Sequence, residues 1–378
     1  MQSNNCKISK RQFLKKCAVL SAGMFCLPGT GVISEDLNEK QRLFRKEAMF
    51  QEETARGIMC RICPNECVLK EGELSKCNNR KVIKSKLYTL AYGNPCSVNV
   101  DPIEKKPLYH FFPGTKAYSI ATAGCNLVCL NCQNWTISQT TPTETRNYDM
   151  MPDEVVNQAI ANNCQSIAYT YSEPITFFEY TYDTSKIART KKIKNVLVSA
   201  GYINEEPLKY LAQYIDAANI DLKSFSDSIY LRLNAGKLDP ILNGLKILKA
   251  AGVWLEIGNL VVPSWTDDLE MIRAMCQWLH SNGFDDTPLH FLRFHPMYKL
   301  TQLPATPQSV LESARNIALS EGLKFVYIGN VPGTETSNTF CPRCKKLIVE
   351  RKGYQISQIN IEQNRCKFCK EPIPGVWQ

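Results

Sequence analysis

The chain is 378 residues long, 44% apolar and 21% charged, with a formal charge of +9. That balance supports a large core, roughly 200–250 residues in one domain with smaller modules attached, and excludes a disordered polypeptide. The charge is too mild for this length to imply nucleic acid. The 17 cysteines fall mostly in short-spaced clusters, which favours metal binding over a disulfide framework.

Four parts are expected in chain order. Residues 1–57 carry Ser9-Lys10-Arg11-Gln12-Phe13-Leu14-Lys15 before a short apolar run from Cys17 to Leu27. This resembles a twin-arginine export signal with Lys10 in place of the first arginine, and it lacks a clear A-x-A cleavage site. A charged lead-in follows. Residues 58–113 form a cysteine-rich module in which Cys60, Cys63, Cys67 and Cys77 offer four thiols within one short segment. Zinc or another structural metal is the favoured reading, because it would fold a segment too small for its own core. An auxiliary iron–sulfur cluster is the alternative. No segment is long and apolar enough to span a bilayer as a mature helix.

Residues 114–330 alternate strand-like and helix-like patterns. Strands are expected at Ala117–Thr122, Ser166–Thr170, Asn195–Ser199, Ala218–Leu222, Val253–Val261, Leu289–Arg293 and Lys324–Ile328. Helices are expected at Glu206–Ala217, Pro240–Ala250, Asp268–His280 and Gln308–Glu321, with Asp153 capping another. Regular alternation predicts an α/β fold whose parallel sheet, with right-handed crossovers, curves into a full or partial barrel. Functional residues should then follow the carboxyl ends of strands.

The first of those ends carries Ala123-Gly-Cys-Asn-Leu-Val-Cys-Leu-Asn-Cys-Gln-Asn134. Its C-x3-C-x2-C spacing gathers Cys125, Cys129 and Cys132 around one point. A cubane cluster takes four ligands, so three thiolates leave one iron open. Zinc prefers paired C-x2-C knuckles, and no further Cys or His lies close enough to complete a local site. In the tail, residues 331–378, Cys341, Cys344, Cys366 and Cys369 do form two such knuckles around a strand-like stretch, a zinc-ribbon pattern. Cys6, Cys17, Cys26, Cys96, Cys164 and Cys276 have no partner at ligand spacing.

The three-cysteine loop resembles that of the radical S-adenosylmethionine (SAM) superfamily, in which SAM chelates the open iron of a [4Fe-4S] cluster and is cleaved to a 5′-deoxyadenosyl radical. Thr170-Tyr171-Ser172-Glu173-Pro174 is similar to a Gly-Gly-Glu-Pro motif, with Tyr171 and Ser172 replacing the glycines. Ser199-Ala200-Gly201-Tyr202 resembles a Thr-Asn-Gly-Tyr turn. Asp221-Leu222-Lys223 resembles the Asp-x-Lys of pyruvate formate-lyase activating enzyme. The resemblance implies that Glu173, Ser199, Asp221, Lys223, His295 and Asn134 face SAM. It also implies a partial radical SAM barrel with small Cys-rich metal-binding modules at both ends.

Asp101-Pro-Ile-Glu-Lys-Lys-Pro-Leu-Tyr-His110, Cys132-Gln-Asn-Trp135 and the flanking cysteine groups sharpen the match. They resemble the radical SAM enzymes of the AmmeMemoRadiSam system from about residue 58 onward. One departure is Asn131, where the superfamily usually has an aromatic residue near adenine. The resemblance implies an oxidoreductase with a flavodoxin- or ferredoxin-type electron donor, and its nearest known activity is hydrogen abstraction from a protein glycine, though kinship alone leaves the substrate open. SAM and such donors are cytosolic, so cytoplasmic action is expected, with export through the twin-arginine-like signal as the alternative, and no nucleic-acid role is expected. The rival readings are an iron–sulfur electron carrier and a zinc-ribbon nucleic-acid-binding protein.

Overall fold

The computed structural model describes residues 44–331 and 335–377. The export-like segment, Cys6, Cys17 and Cys26, and Pro332 and Gly333 lie outside the described residues. From Phe44 onward the chain forms one compact unit. Its centre is an eight-stranded sheet with the strands in sequence order. They are β1 (Ser97–Pro102), β2 (Lys116–Ala121), β3 (Ser166–Tyr169), β4 (Lys194–Ser199), β5 (Ala217–Asp221), β6 (Trp254–Val261), β7 (Leu289–Arg293) and β8 (Val326–Gly329). β1 runs antiparallel to β2, and every later neighbour pair is parallel. The architecture is a partial α/β barrel.

Helices α1 (Pro152–Ala161), α2 (Phe178–Thr190), α3 (Glu205–Ala212), α4 (Asp239–Ala250), α5 (Leu269–Ser281) and α6 (Gln308–Ser320) form the crossovers. β3 is buried along its whole length, as a strand covered on both faces must be. Asp268 caps α5 by accepting from the backbone N–H groups of Glu270 (2.8 Å) and Met271 (3.1 Å). Asp153 does not cap α1. Pro152, with φ preset for the first helical position, starts that helix two residues earlier, with Met151 at the cap position, and leaves Asp153 in its first turn.

Small residues face the barrel lumen. Ala117, Ala168, Val196 and Ala217 pack against Ile103, Leu108 and Phe111, so the segment between β1 and β2 fills the amino-terminal end of the barrel. Buried Glu256 of β6 fixes this plug by accepting from the backbone N–H groups of Tyr109 (2.9 Å) and His110 (2.7 Å). His290 Nε2 lies 2.7 Å from the same carboxylate. The Nδ1–H of His110 donates to the Pro374 carbonyl (2.7 Å), so its Nε2 accepts from the Tyr327 hydroxyl (2.6 Å).

Short antiparallel hairpins flank the barrel on both sides. Before it, Gln51–Thr54 pairs with Gly57–Cys60, and Arg80–Ile83 with Lys86–Thr89. The second hairpin is tied to α2 by a buried two-pronged contact from Arg80 to Glu179, both bonds 3.0 Å. After the barrel, Thr339–Phe340, Leu347–Lys352 and Gln355–Ile359 form a three-stranded sheet. Arg351 Nη2 docks this sheet on the plug by donating to the Tyr109 carbonyl at 2.7 Å. Among the described residues, no helix is long and apolar enough to cross a membrane.

Burial pushes the His110 imidazole down to about 4 from 6.5. The unfolded chain therefore binds a proton below about 6.5 that the folded chain refuses until about 4, and stability falls as pH drops through that window. Urea unfolding should show a loss of up to about 2 kcal/mol between pH 6.5 and 5, and His110→Gln should flatten that slope. A slope identical in both proteins would show that His110 does not titrate this way.

Candidate functional site

The loop after β2 is shaped by backbone contacts on both sides. Gly124 adopts φ +94°, and a Cβ there would stand 2.3 Å from the Cys77 carbonyl oxygen, so only glycine fits. On the other side, Val128 N–H donates to the Asn234 carbonyl and Leu130 N–H to the Leu233 carbonyl, each at 2.9 Å. Those acceptors sit at the end of a π-helical turn, Tyr230–Asn234, which Ala235 stops in the left-handed conformation. π-turns often occur at functional sites because they release backbone groups from the regular ladder.

This docking presents Cys125, Cys129 and Cys132 together at the mouth of the barrel, each partly exposed. Cys125 Sγ accepts from Leu127 N–H at 3.4 Å, and Cys129 Sγ from the buried Asn234 Nδ2 at 3.2 Å. Burial raises both thiols above their ordinary range. A group that needs thiolates would supply the compensating positive charge, and N–H donors aimed at sulfur suit an iron–sulfur cluster. The donor set fits three irons of a cubane and leaves the fourth uncovered.

The next strand ends converge on this loop. Glu173, after β3, is buried and caps a short 3-10 turn, accepting from Ile175 N–H at 3.2 Å. It also accepts from Ser199 Oγ (2.6 Å) and Ala200 N–H (2.8 Å), tying the end of β3 to that of β4. Burial raises its carboxyl pKa despite these donors. Gly201 has φ +67°, as the turn reading requires. At the end of β5, Lys223 Nζ and Asp221 Oδ2 are 2.7 Å apart. Gly258 on β6 makes room for that carboxylate, since a Cβ there would stand 2.8 Å from Asp221 Oδ1. Burial alone would lower the Lys223 ammonium, but Asp221 and the Cys129 sulfur outweigh it and the pKa rises. Asn134 Nδ2 donates to the Tyr171 carbonyl at 2.7 Å. His295 stands exposed beyond β7.

Several contributors were not singled out from the sequence. Asn234 is one, and nothing in its local pattern marks it. Tyr171 is another. It holds φ +64°, the conformation a glycine would take in the related motif. Its hydroxyl donates to Asp101, whose carboxylate is also held by Lys106 Nζ (2.6 Å) and Lys105 Nζ (2.9 Å). Lys106 Nζ also lies 4.4 Å above the Tyr171 ring. Burial lowers Lys106 to about 8, with Asp101 opposing the shift. These contacts tie the plug segment to the end of β1 and to the turn after β3.

The two flanking cysteine sets are also assembled. The ligand atoms of Cys341, Cys344, Cys366 and Cys369 all lie within 4.8 Å of one another and could hold a metal ion. Cys60, Cys63, Cys67 and Cys77 line one cavity with Arg80, Asn126 and Thr176. Cys96, Cys164 and Cys276 are free thiols.

Comparison with known proteins identifies the family. The family model of the radical SAM superfamily matches residues 119–278. An uncharacterized protein of Methanocaldococcus jannaschii is 48% identical over 331 residues, covering 87% of this chain and 98% of that one. Pyruvate formate-lyase 1-activating enzyme of Escherichia coli is 23% identical over 218 residues, covering 54% and 89%. A radical SAM methyltransferase structure from Sphaerobacter thermophilus aligns at 12% identity with a TM-score of 0.46, covering 58% and 67%. The chain belongs to the radical SAM superfamily and is related to the pyruvate formate-lyase activating enzymes.

A donor hydrogen bond to a ligating sulfur raises the potential of an iron–sulfur cluster. Asn234→Ala should therefore lower the midpoint potential of the reconstituted cluster in an anaerobic EPR titration, while iron content stays at the wild-type level. An unchanged potential would remove Asn234 from the site.

Proposed function

We propose that this protein binds a [4Fe-4S] cluster through Cys125, Cys129 and Cys132 and cleaves SAM reductively, directing the radical to a hydrogen atom of its substrate. The observation that carries the reading is the three-thiolate loop, held from both sides at the barrel mouth with no fourth cysteine in it. When bound, the cluster supplies the electron that splits SAM into methionine and a 5′-deoxyadenosyl radical.

The chain's own residues then do the positioning. Asp221 and Lys223, paired at the end of β5, offer a carboxylate and an ammonium to the charged groups of SAM. Glu173 and Ser199 lock the ends of β3 and β4 together, which fixes the backbone groups that SAM would meet. Asn134 holds the left-handed turn at Tyr171, and His295 lies at the outer rim of the same mouth. The plug closes the opposite end, so the radical is reached only from the top and bulk water is kept from below.

Kinship with an activating enzyme favours a protein substrate, with glycyl hydrogen abstraction as its chemistry. The electron comes from a low-potential donor of flavodoxin or ferredoxin type, which places the reaction in the cytoplasm. At the carboxyl end, the Sγ–Sγ separations of 3.6 Å (Cys341–Cys369) and 3.8 Å (Cys344–Cys366) match a tetrahedral zinc site. With Zn–S near 2.3 Å, that geometry puts sulfurs about 3.8 Å apart. We assign this set a structural zinc. Its ribbon is bound to the barrel plug through Arg351, which accounts for it without nucleic acid.

The test is anaerobic reconstitution with iron and sulfide, then dithionite and SAM, with chromatography for 5′-deoxyadenosine. Cys129→Ala should reduce the yield at least 100-fold. Cys344→Ala should retain the activity at low temperature and lose zinc and thermal stability. Equal nucleoside from the Cys129 variant would overturn the function.

A further inference from the structure

We propose that Cys60, Cys63, Cys67 and Cys77 bind a second [4Fe-4S] cluster, fully ligated by protein, packed against the loop of the first. This rests on the radical SAM reading only for its role, not for the site.

The chain contains its own ruler for metal type. In the carboxyl-terminal set the thiols are drawn together at zinc spacing. Among the described residues, no other group of three or more Cys, His, Asp or Glu brings its ligand atoms within 4.8 Å of one another. Cys125, Cys129 and Cys132 do not, as expected for thiolates that stand around a cubane rather than around one ion. Cys60, Cys63, Cys67 and Cys77 do not either, yet all four line one cavity. The amino-terminal set, like the cluster loop, does not close to the spacing of the ribbon. Its donor set is all thiolate, the usual ligation of a four-iron centre.

The surroundings are built for a buried, negatively charged centre. Cys60 and Cys77 are buried, and Arg80 lines the cavity with its side chain 1% exposed, fixed by Glu179. Such a guanidinium offsets part of the charge of four thiolates. Ser75 Oγ lies 3.1 Å from Cys77 Sγ. Four protein ligands leave no open iron, so this centre binds no substrate.

Its position gives it a role. The Cys77 carbonyl is the group that forces residue 124 to be glycine, one position before Cys125. Asn65 Nδ2 donates to the Asn126 carbonyl at 2.8 Å, and Asn79 Nδ2 to Thr176 Oγ1 at 2.9 Å. The two cysteine groups thus share a wall of directly bonded residues. The second centre takes one electron from the external low-potential donor, and passes one electron to the neighbouring cluster when SAM is cleaved.

The experiment uses the full chain carrying Cys125→Ala, Cys129→Ala and Cys132→Ala together, reconstituted anaerobically with iron and sulfide. It should retain about four irons and four sulfides per chain, and dithionite should produce an EPR signal that SAM does not change. A soluble variant with no iron, or with zinc beyond that of the ribbon, overturns the proposal. If that variant does not fold, Cys63→Ser with Cys67→Ser decides. Iron falling from about eight to about four per chain, with the SAM-sensitive signal kept, supports the second cluster, and wild-type protein that never exceeds four irons refutes it. Because the readout is iron, sulfide and EPR, a wild-type protein that fails to cleave SAM would sink the enzymatic reading and leave this one standing.

Discussion

The Glu256 carboxylate is the constraint on which the arrangement depends. It is completely buried, and it holds the turn at Tyr109 and His110 by two backbone bonds while meeting His290. An unpaired carboxylate there would be intolerable, and removing one partner of such a set costs about 3–5 kcal/mol. Satisfied, it fixes the segment between β1 and β2 inside the barrel. One end of the lumen is then packed with Ile103, Leu108 and Phe111, and only the carboxyl ends of the strands remain available for chemistry. The same turn receives Arg351 from the last module, so the plug also anchors the ribbon.

At the open end, rigidity is supplied by bonds that cross between strand ends rather than along them. Glu173 links the turns after β3 and β4, Asn134 reaches from the cysteine loop to Tyr171, and Ser172 Oγ donates to the Thr122 carbonyl. The cysteine loop borrows the carbonyls of Leu233 and Asn234, which the π-turn frees. Three thiols placed in this way need little further ordering when a ligand arrives, and pre-organisation of this kind is what electrostatic catalysis relies on.

Much of this was legible in the sequence, for physical reasons that differ by element. Buried parallel strands are short apolar runs, so Leu289–Arg293 was placed to the residue and its neighbours to within one or two. Helix starts were placed to within a residue except at Asp153, where Pro152 begins the helix, but the helix expected at Glu206–Ala217 ends at Ala212 because the chain turns there to enter β5 at Ala217. Glu173, Ser199 and Asp221 were marked by their resemblance to known motifs, and the fold sets all three at strand ends. Asn234, Gly258 and the Arg80–Glu179 pair were not, since each depends on a partner far away in sequence. The run from Asp101 to His110 was visible as a pattern but not in purpose. Its charged residues serve the lumen and its last two residues hold the plug.

The cysteines show where spacing along the chain stops being informative. Cys341 to Cys369 read as paired zinc knuckles, whereas Cys60 to Cys77 read as four thiols in a short stretch that either metal would suit. What separates them is the scaffold. Paired knuckles at the ends of a hairpin face each other directly, so their sulfurs close to the tetrahedral spacing of one ion. The amino-terminal thiols come from a strand end, a turn and a separate loop, and they line one cavity with the Arg80 guanidinium. Four thiols that line one cavity without closing to the spacing of a single ion suit a centre several atoms across.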